Sequence, residues 1–460
     1  MFQRIDYSRN LAGQLLSILD LLLPVIYIAI MYLIGTYIQS KNADNPIYKY
    51  YRRGLMAKCF GAIAVCLVYV YWYKGGDTIN YFVSSVPLIN MMSKNFDVFV
   101  SIMQGNITWE NRSQFDVITG YPEFWRDPVA MFVVRLIVPL TILGFKSYLA
   151  TAILLASICY SGIWRLFVVF HSEFPQLEDK LATAVLFIPS VVFWGSGILK
   201  DSITISAVGW FTYSFYCFFI LKRRNISYLI FLFISGFLMV SIKPYILFAL
   251  LPGSIIWLSN QRIANIKSAF LKILFGPILL AIALGGGVFA LSQMGSLLGN
   301  YSLDKVVSKA VESNNDQKQE YYGGNSFDIG EINDDPMSML SKAHLAIGAT
   351  LFRPFLWDAR NPVMFLSACE NTYILLLTLF LFMKLKIFGF LKMVNSNPLL
   401  QFSMLFALFF AFSVGIATSN FGSLVRLKIP CIPFFVSSLF IMQHLYEEKT
   451  NKKLFTMKRN

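Results

Sequence analysis

The stretch ITISAVGWFTYSFYCFFILKRRNISYLIFLFISGFLMVSIKPYILFALLPGSIIWLS, residues 203–259, decides the fold. Apolar blocks at about 203–221, 225–242 and 245–259 are parted first by Lys222-Arg223-Arg224 and then by Lys243-Pro244. A hydrocarbon core of about 30 Å is crossed by about 20 apolar residues in a helix. Helices are the form that lets a single segment satisfy its own backbone there. Short cytoplasmic loops collect Lys and Arg, so the basic triplet marks a cytoplasmic turn and the Lys-Pro turn an outer one.

Working outward, similar blocks recur at about 13–38, 55–73, 148–170, 182–197, 273–293, 370–385, 398–417 and 428–444. The expected fold is therefore all-α, one polytopic membrane domain over residues 1–460 with about eleven transmembrane helices. The block 15–38 is longer than the apolar core of a cleavable signal and has no small-residue cleavage site, so it is expected to stay as a crossing. Lys49, Arg52 and Arg53, then Lys222 to Arg224, Arg262, Lys267 and Lys272, and Lys384, Lys386 and Lys392 mark cytoplasmic turns. The basic tail puts the C-terminus in the cytoplasm too.

One parity conflict arises between 128 and 181, where two apolar stretches stand in place of one or three crossings. It is resolved by laying 128–145, which carries Arg135 and Pro139, along the outer interface. The alternative is a short hidden span at Tyr81 to Met92. Two long extracytoplasmic loops follow, 74–147 with juxtamembrane helices and 294–369, which is polar and acid-leaning.

Composition agrees with a membrane domain. Hydrophobic residues make up 56% of the chain and charged residues only 14%, where a soluble domain has about a quarter charged. The net charge of +14 is accounted for by positive-inside topology, so no nucleic-acid partner is needed. Cys59, Cys66, Cys159, Cys217, Cys369 and Cys431 lie in or beside apolar blocks without CxxC or Cys/His spacing, and read as small buried hydrophobes. No Walker A, HExxH or GxSxG pattern occurs.

Charge is kept near hydrocarbon only where it is paired, solvated or used. Five polar clusters fall at outer helix ends. Asp77 follows Lys74-Gly-Gly and could act as a base, hold a divalent cation at a lipid pyrophosphate, or simply cap a helix. Lys200-Asp201 ends the break that runs from Pro189 through Trp194-Gly-Ser-Gly, with Trp194 suited to an interfacial ring. Lys243 could hold a phosphate or snorkel. Arg353, Trp357, Asp358 and Arg360 form a dense surface cluster followed by Glu370 at the start of a span. There Arg suits bidentate phosphate binding and Trp the face of a sugar, while an Arg–Asp anchor in an aromatic belt is the plainer reading. Asn420 to Arg426 and Lys428 again place basic residues outside. Together Lys200, Lys243, Arg353, Arg360 and Arg426 outline an outward cationic pocket suited to an anionic headgroup.

This layout resembles GT-C type membrane glycosyltransferases and O-antigen-polymerase-like proteins of bacterial polysaccharide assembly. The likeness rests on Asp77 in the first long outer loop, the juxtamembrane segment 128–145, the break from Pro189 to Asp201, and the late Asn420-Phe-Gly-Ser-Leu-Val-Arg426 loop. It covers most of the chain in layout and few residues in detail, and Asp77 departs from the pattern in having no acidic neighbour. The resemblance implies an inner-membrane enzyme acting on polyprenyl-phosphate-linked sugars, with Asp77 or Asp201 as base and the outer cations on the pyrophosphate. A metal is then optional, and other polysaccharide-assembly proteins become candidate partners. The rival expectation is a transporter or flippase for a lipid-linked or anionic solute; a third is a non-catalytic assembly subunit. Inverted repeats and midplane charges, the marks of a transporter, are not visible in the sequence.

Overall fold

The computed structural model of the chain describes residues 13, 15–263, 303–317, 326–330 and 336–457, and these are all-helical. In chain order the helices are α1 Ile18–Lys41, α2 Tyr51–Tyr71, α3 Asp77–Lys94, α4 Phe96–Gln104, α5 Trp109–Ser113, α6 Pro128–Leu143 and α7 Tyr148–Glu173. Next come α8 Glu178–Ala182, α9 Pro189–Trp194, α10 Lys200–Phe215, α11 Ile226–Ile242 and α12 Pro244–Ile263. The remainder are α13 Leu303–Asp316, α14 Pro336–Ser341, α15 Ala343–Phe352, α16 Pro362–Val394, α17 Pro398–Ala417, α18 Phe421–Leu427 and α19 Ile432–Met457.

Among the described residues, six helices are long and apolar enough to cross a membrane: α1, α2 with the turn before it, α7, α10 with the π-helical turn after it, α16 and α17. A seventh results if α18 and α19, bent by 68° at the break between them, are taken as one span. The chain is thus a multi-pass α-helical membrane protein. The expected block 182–197 is not one helix. The π-helical turn Thr183–Phe187 ends at Ile188, whose ψ is 125°, and α9 starts afresh at Pro189, because proline offers no N–H and drives the residue before it out of helical geometry. The blocks 225–242 and 245–259 are present as α11 and α12 but count among the shorter apolar helices, and 273–293 lies outside the described residues. So do Lys267, Lys272, Glu320, Glu331, Asp334 and Asp335.

Two compact units divide the chain, the first made of 1–164 with 192–207 and the second of 165–191 with 208–460. In the first, α1 packs on α2, and α3 on α6. The loop region 74–127 is more ordered than expected: α3 runs for 18 residues with a buried face that includes Tyr81, Phe82, Ser85 and Ile89. Helix α6 is buried along Ala130, Val133, Val134 and Ile137, and its Arg135 donates to the Met103 carbonyl at 3.2 Å. Small residues allow close approach where lipid supplies no hydrophobic drive. A Cβ on Gly162 would lie 2.0 Å from the Ser206 carbonyl oxygen, and one on Gly61 2.5 Å from that of Val192. Asp20, buried near the start of α1, accepts from the Ser147 hydroxyl at 2.6 Å and the Leu149 amide at 3.3 Å, and so caps α7 from a different helix.

In the second unit α17 is the central element, packed against α12, α15 and α19. Here too a glycine sets the spacing: a Cβ on Gly415 would meet the Ala346 carbonyl oxygen at 2.2 Å. The Thr350 hydroxyl donates across the same contact to Ala411 O at 2.8 Å. The rings of Trp257, Phe402 and Phe434 form a continuous aromatic run with centroids 4.8 and 5.8 Å apart. Helix α16 breaks at Lys386, whose φ is 55°. Five of the cysteines are buried as expected, but Cys369 is exposed on α16.

Candidate functional sites

The five polar clusters sort into two groups, one in each unit, apart from Lys243, which ends α11 with a buried side chain.

The first group is built around the break before α10. Gly75 and Gly76, at φ 149° and 108°, turn the chain out of α2 so that α3 can begin at Asp77. The capping position of α3 is Gly76, and Asp77 is the first helical residue, where a carboxylate is favoured by the helix dipole. The break Gly195-Ser196-Gly197 abuts the same place, since a Cβ on Gly197 would come within 3.4 Å of Thr78. Below it stands Lys58 of α2, fully buried, with its ammonium donating to the Gly195 carbonyl at 3.0 Å. Asp201 is fully buried one residue into α10. Lys200 lies 3.7 Å from Asp127, which caps α6. Trp194, expected in an interfacial ring, is buried instead. The structure therefore brings Asp77 and the Lys200–Asp201 segment into one neighbourhood and adds Lys58.

The second group joins the fourth and fifth clusters. Lys428 stands at the break between α18 and α19 with no exposed surface. Its ammonium donates to Asn371 Oδ1 at 2.6 Å and to the Arg353 carbonyl at 3.1 Å, and it interacts electrostatically with Glu370. Asn371 in turn donates to the Pro354 carbonyl at 3.2 Å. Glu370 receives the Ser190 amide at 2.8 Å and the Ser190 hydroxyl at 2.6 Å. It was expected at the start of a span; because α16 begins at Pro362, it lies two turns inside the helix.

Arg353 reaches outward from this network. Its Nε is 3.7 Å from Asp358 Oδ2, which also takes the Phe355 amide at 2.9 Å. Its guanidinium stands 5.4–5.7 Å from the rings of Phe327, Phe355 and Phe421. Among the described residues neither Nη nitrogen of Arg353 has a hydrogen-bond acceptor in the protein, and the side chain is 29% exposed. The result is a cation in an aromatic cup with its donor edge open, a geometry suited to an oxyanion. Trp357 stacks on Phe355 at 4.9 Å and is 80% exposed, and Arg360 is exposed beside it. Asn420 caps α18 through the Ser423 amide, while its own amide donates to Gln317 at 3.2 Å. Arg426 sits half-buried in the last turn of α18.

Sequence reasoning passed over Lys58, Asn371 and Ser190, and placed Lys428 on an outer rim rather than in the interior. A lysine inside an apolar block, as in Ala57-Lys58-Cys59, is the signal that was available for the first. Asn371 and Ser190 are found only by the packing of α16 against its neighbours. Among the described residues no three His, Cys, Asp or Glu side chains gather as a metal site would require.

Fold and sites together define a multi-pass helical membrane protein with buried ionic groups in each of its two units. No family model, curated protein or solved structure matches the chain.

Proposed function

We propose that this protein is a glycosyltransferase or polysaccharide polymerase of cell-surface glycan synthesis. It takes polyprenyl-phosphate-linked sugars at the extracytoplasmic face of a bacterial inner membrane. The observation that carries the reading is the open edge of Arg353 in its cup of Phe327, Phe355 and Phe421, backed by the network of buried Lys428 and Asn371 with the half-buried Glu370. Arg353 holds the phosphate, with Arg360 and Arg426 as further cations. Trp357 offers a flat face to a sugar or isoprenoid. A cationic clamp of this kind stabilises a departing lipid pyrophosphate, and Asp77 or Asp201 serves as the acceptor's base. The same proposal includes about eleven crossings, two extracytoplasmic loops and a cytoplasmic C-terminus.

One observation favours a different reading. A helix broken by 68° with a buried lysine at the break is the kind of discontinuous span on which transporters build solute sites. The rival is therefore a transporter or flippase of a lipid-linked or anionic solute.

The test is a set of single substitutions, Arg353→Ala, Arg426→Ala, Asp77→Asn and Asp201→Asn, scored by surface glycan and by lipid-linked oligosaccharide on each side of the membrane. Loss of glycan with the lipid-linked precursor accumulating on the outer side supports the transferase or polymerase. Precursor trapped on the inner side supports the flippase. Normal glycan in all four variants defeats both.

A further inference from the structure

The loop after α4 has an inside and an outside that differ in a way its own fold does not explain. On the inside, Phe115 and Trp125 are buried, edge to face at 5.6 Å. Lys94 holds the Gln114 carbonyl at 2.6 Å and the Asp116 carboxylate at 2.9 Å. Asp116 Oδ1 then accepts the Ile118 amide at 3.0 Å and the Thr119 amide at 2.8 Å, closing a tight turn. That turn presents Val117 and Ile118 to the outside at 86% and 89% exposure. Two adjacent aliphatic side chains on a fixed turn cannot collapse onto their own loop. Trp109, 63% exposed, stands in the same loop with the guanidinium groups of Arg112 and Arg126 at 5.0 and 5.7 Å from its ring.

The position of this turn relative to the bilayer follows from one residue. Asn90 donates to the Thr119 carbonyl at 3.0 Å and accepts from the Lys146 ammonium at 2.8 Å. Lys146 lies two residues before Tyr148, where the membrane-spanning helix α7 begins. The apolar turn is therefore tied, through a single side chain, to the end of a span. The end of a span is where the headgroup region of a bilayer falls, and aliphatic tips with Trp and Arg suit that region.

We propose that the 116–119 turn is an interfacial anchor that inserts Val117 and Ile118 into the lipid surface of the bilayer the chain itself spans. The proposal is independent of the transferase reading and holds for an enzyme or a transporter alike.

The experiment uses the full chain carrying Cys369→Ser, to remove the exposed native thiol, with Ile118→Cys or Val117→Cys labelled by an environment-sensitive fluorophore. The protein is reconstituted in phosphatidylethanolamine/phosphatidylglycerol vesicles with or without brominated acyl chains. Asp44→Cys, in the exposed turn after α1, is the aqueous control. The expected result is blue-shifted emission at both turn positions, quenched severalfold more by brominated lipid than at Asp44 and shielded from iodide. Quenching by iodide without sensitivity to brominated lipid overturns the proposal. Shielding from both quenchers also overturns it, because the turn is then covered by protein.

Discussion

Each unit buries a lysine completely, and the two are used differently. Lys58 lies within a long apolar helix and donates to a backbone carbonyl at the Gly195 break. Lys428 lies at a helix break and reaches a side-chain amide, a backbone carbonyl and the field of a carboxylate. A fully buried ammonium is costly to remove wherever its partners stay behind, because each is left unsatisfied. Lys58 stands in mid-helix, whereas Lys428 stands where a span is bent by 68° and is held there by Asn371, the Arg353 carbonyl and the field of the half-buried Glu370. At Lys428 the loss strands that carboxylate together with an amide and a carbonyl.

The largest expected effect is therefore at Lys428. Lys428→Met should cost about 3 kcal/mol or more of stability in detergent, read as a fall in the thermal unfolding midpoint. Adding Glu370→Gln should recover part of that loss, because the stranded carboxylate is gone. No recovery on adding Glu370→Gln would break the pairing of Lys428 with that carboxylate. Next is Gly61→Ala, which puts a methyl 2.5 Å from the Val192 carbonyl oxygen and pushes α2 away from the break. It should cost about 1–3 kcal/mol, whereas Gly236→Ala, with open space around its Cβ, should be close to neutral. Lys58→Met should cost at least about 1.5–3 kcal/mol, the worth of its charged hydrogen bond to the Gly195 carbonyl, read from the same thermal unfolding midpoint.

The smallest effect concerns a charge on the surface. The Thr119 amide and then Lys94 hold the Asp116 carboxyl well below its usual range. A folded-state value below the unfolded one means the contribution is complete above about pH 4 and is lost as pH falls toward the depressed folded value. Amide exchange at Ile118 and Thr119 should accordingly be slow relative to its intrinsic rate at neutral pH, with protection declining only at strongly acid pH. Global unfolding should not accompany it.

What the sequence made legible follows from how each feature is encoded. Spans such as α1, α7 and α17 are written in apolar length with few charges, and composition alone recovers them. Helix α3 is not, because Ser84, Ser85, Pro87 and Asn90 interrupt its apolar pattern while tertiary contacts bury that face. The failure of 182–197 as one helix was written in Pro189, which marked a break but was read as the start of an outer turn. At the sites, Arg353, Asp358, Asn420 and Arg426 were identifiable as charge and amide at helix ends. That Lys428, Glu370 and Asn371 converge was not, since Glu370–Asn371 and Lys428 are brought together only by the packing of α16 against α19 and α18. The open edge of Arg353 depends on Phe327 and Phe421, distant in sequence and unremarkable among 43 phenylalanines.

The uneven burial of the spans bears on how the chain is made. Only 17% of the apolar window of α1 is covered by protein, against 72% for α10 with its π-helical turn. Helix α1 can settle in lipid with little protein against it, because hydropathy alone supports it. Helix α10 carries Asp201, Ser202, Thr204, Ser206, Thr212 and Ser214, all buried in the finished protein. Such a segment inserts poorly by itself, so its entry into the bilayer depends on helices that are already there. Assembly order during translation is thus partly set by which helices lipid can accept alone.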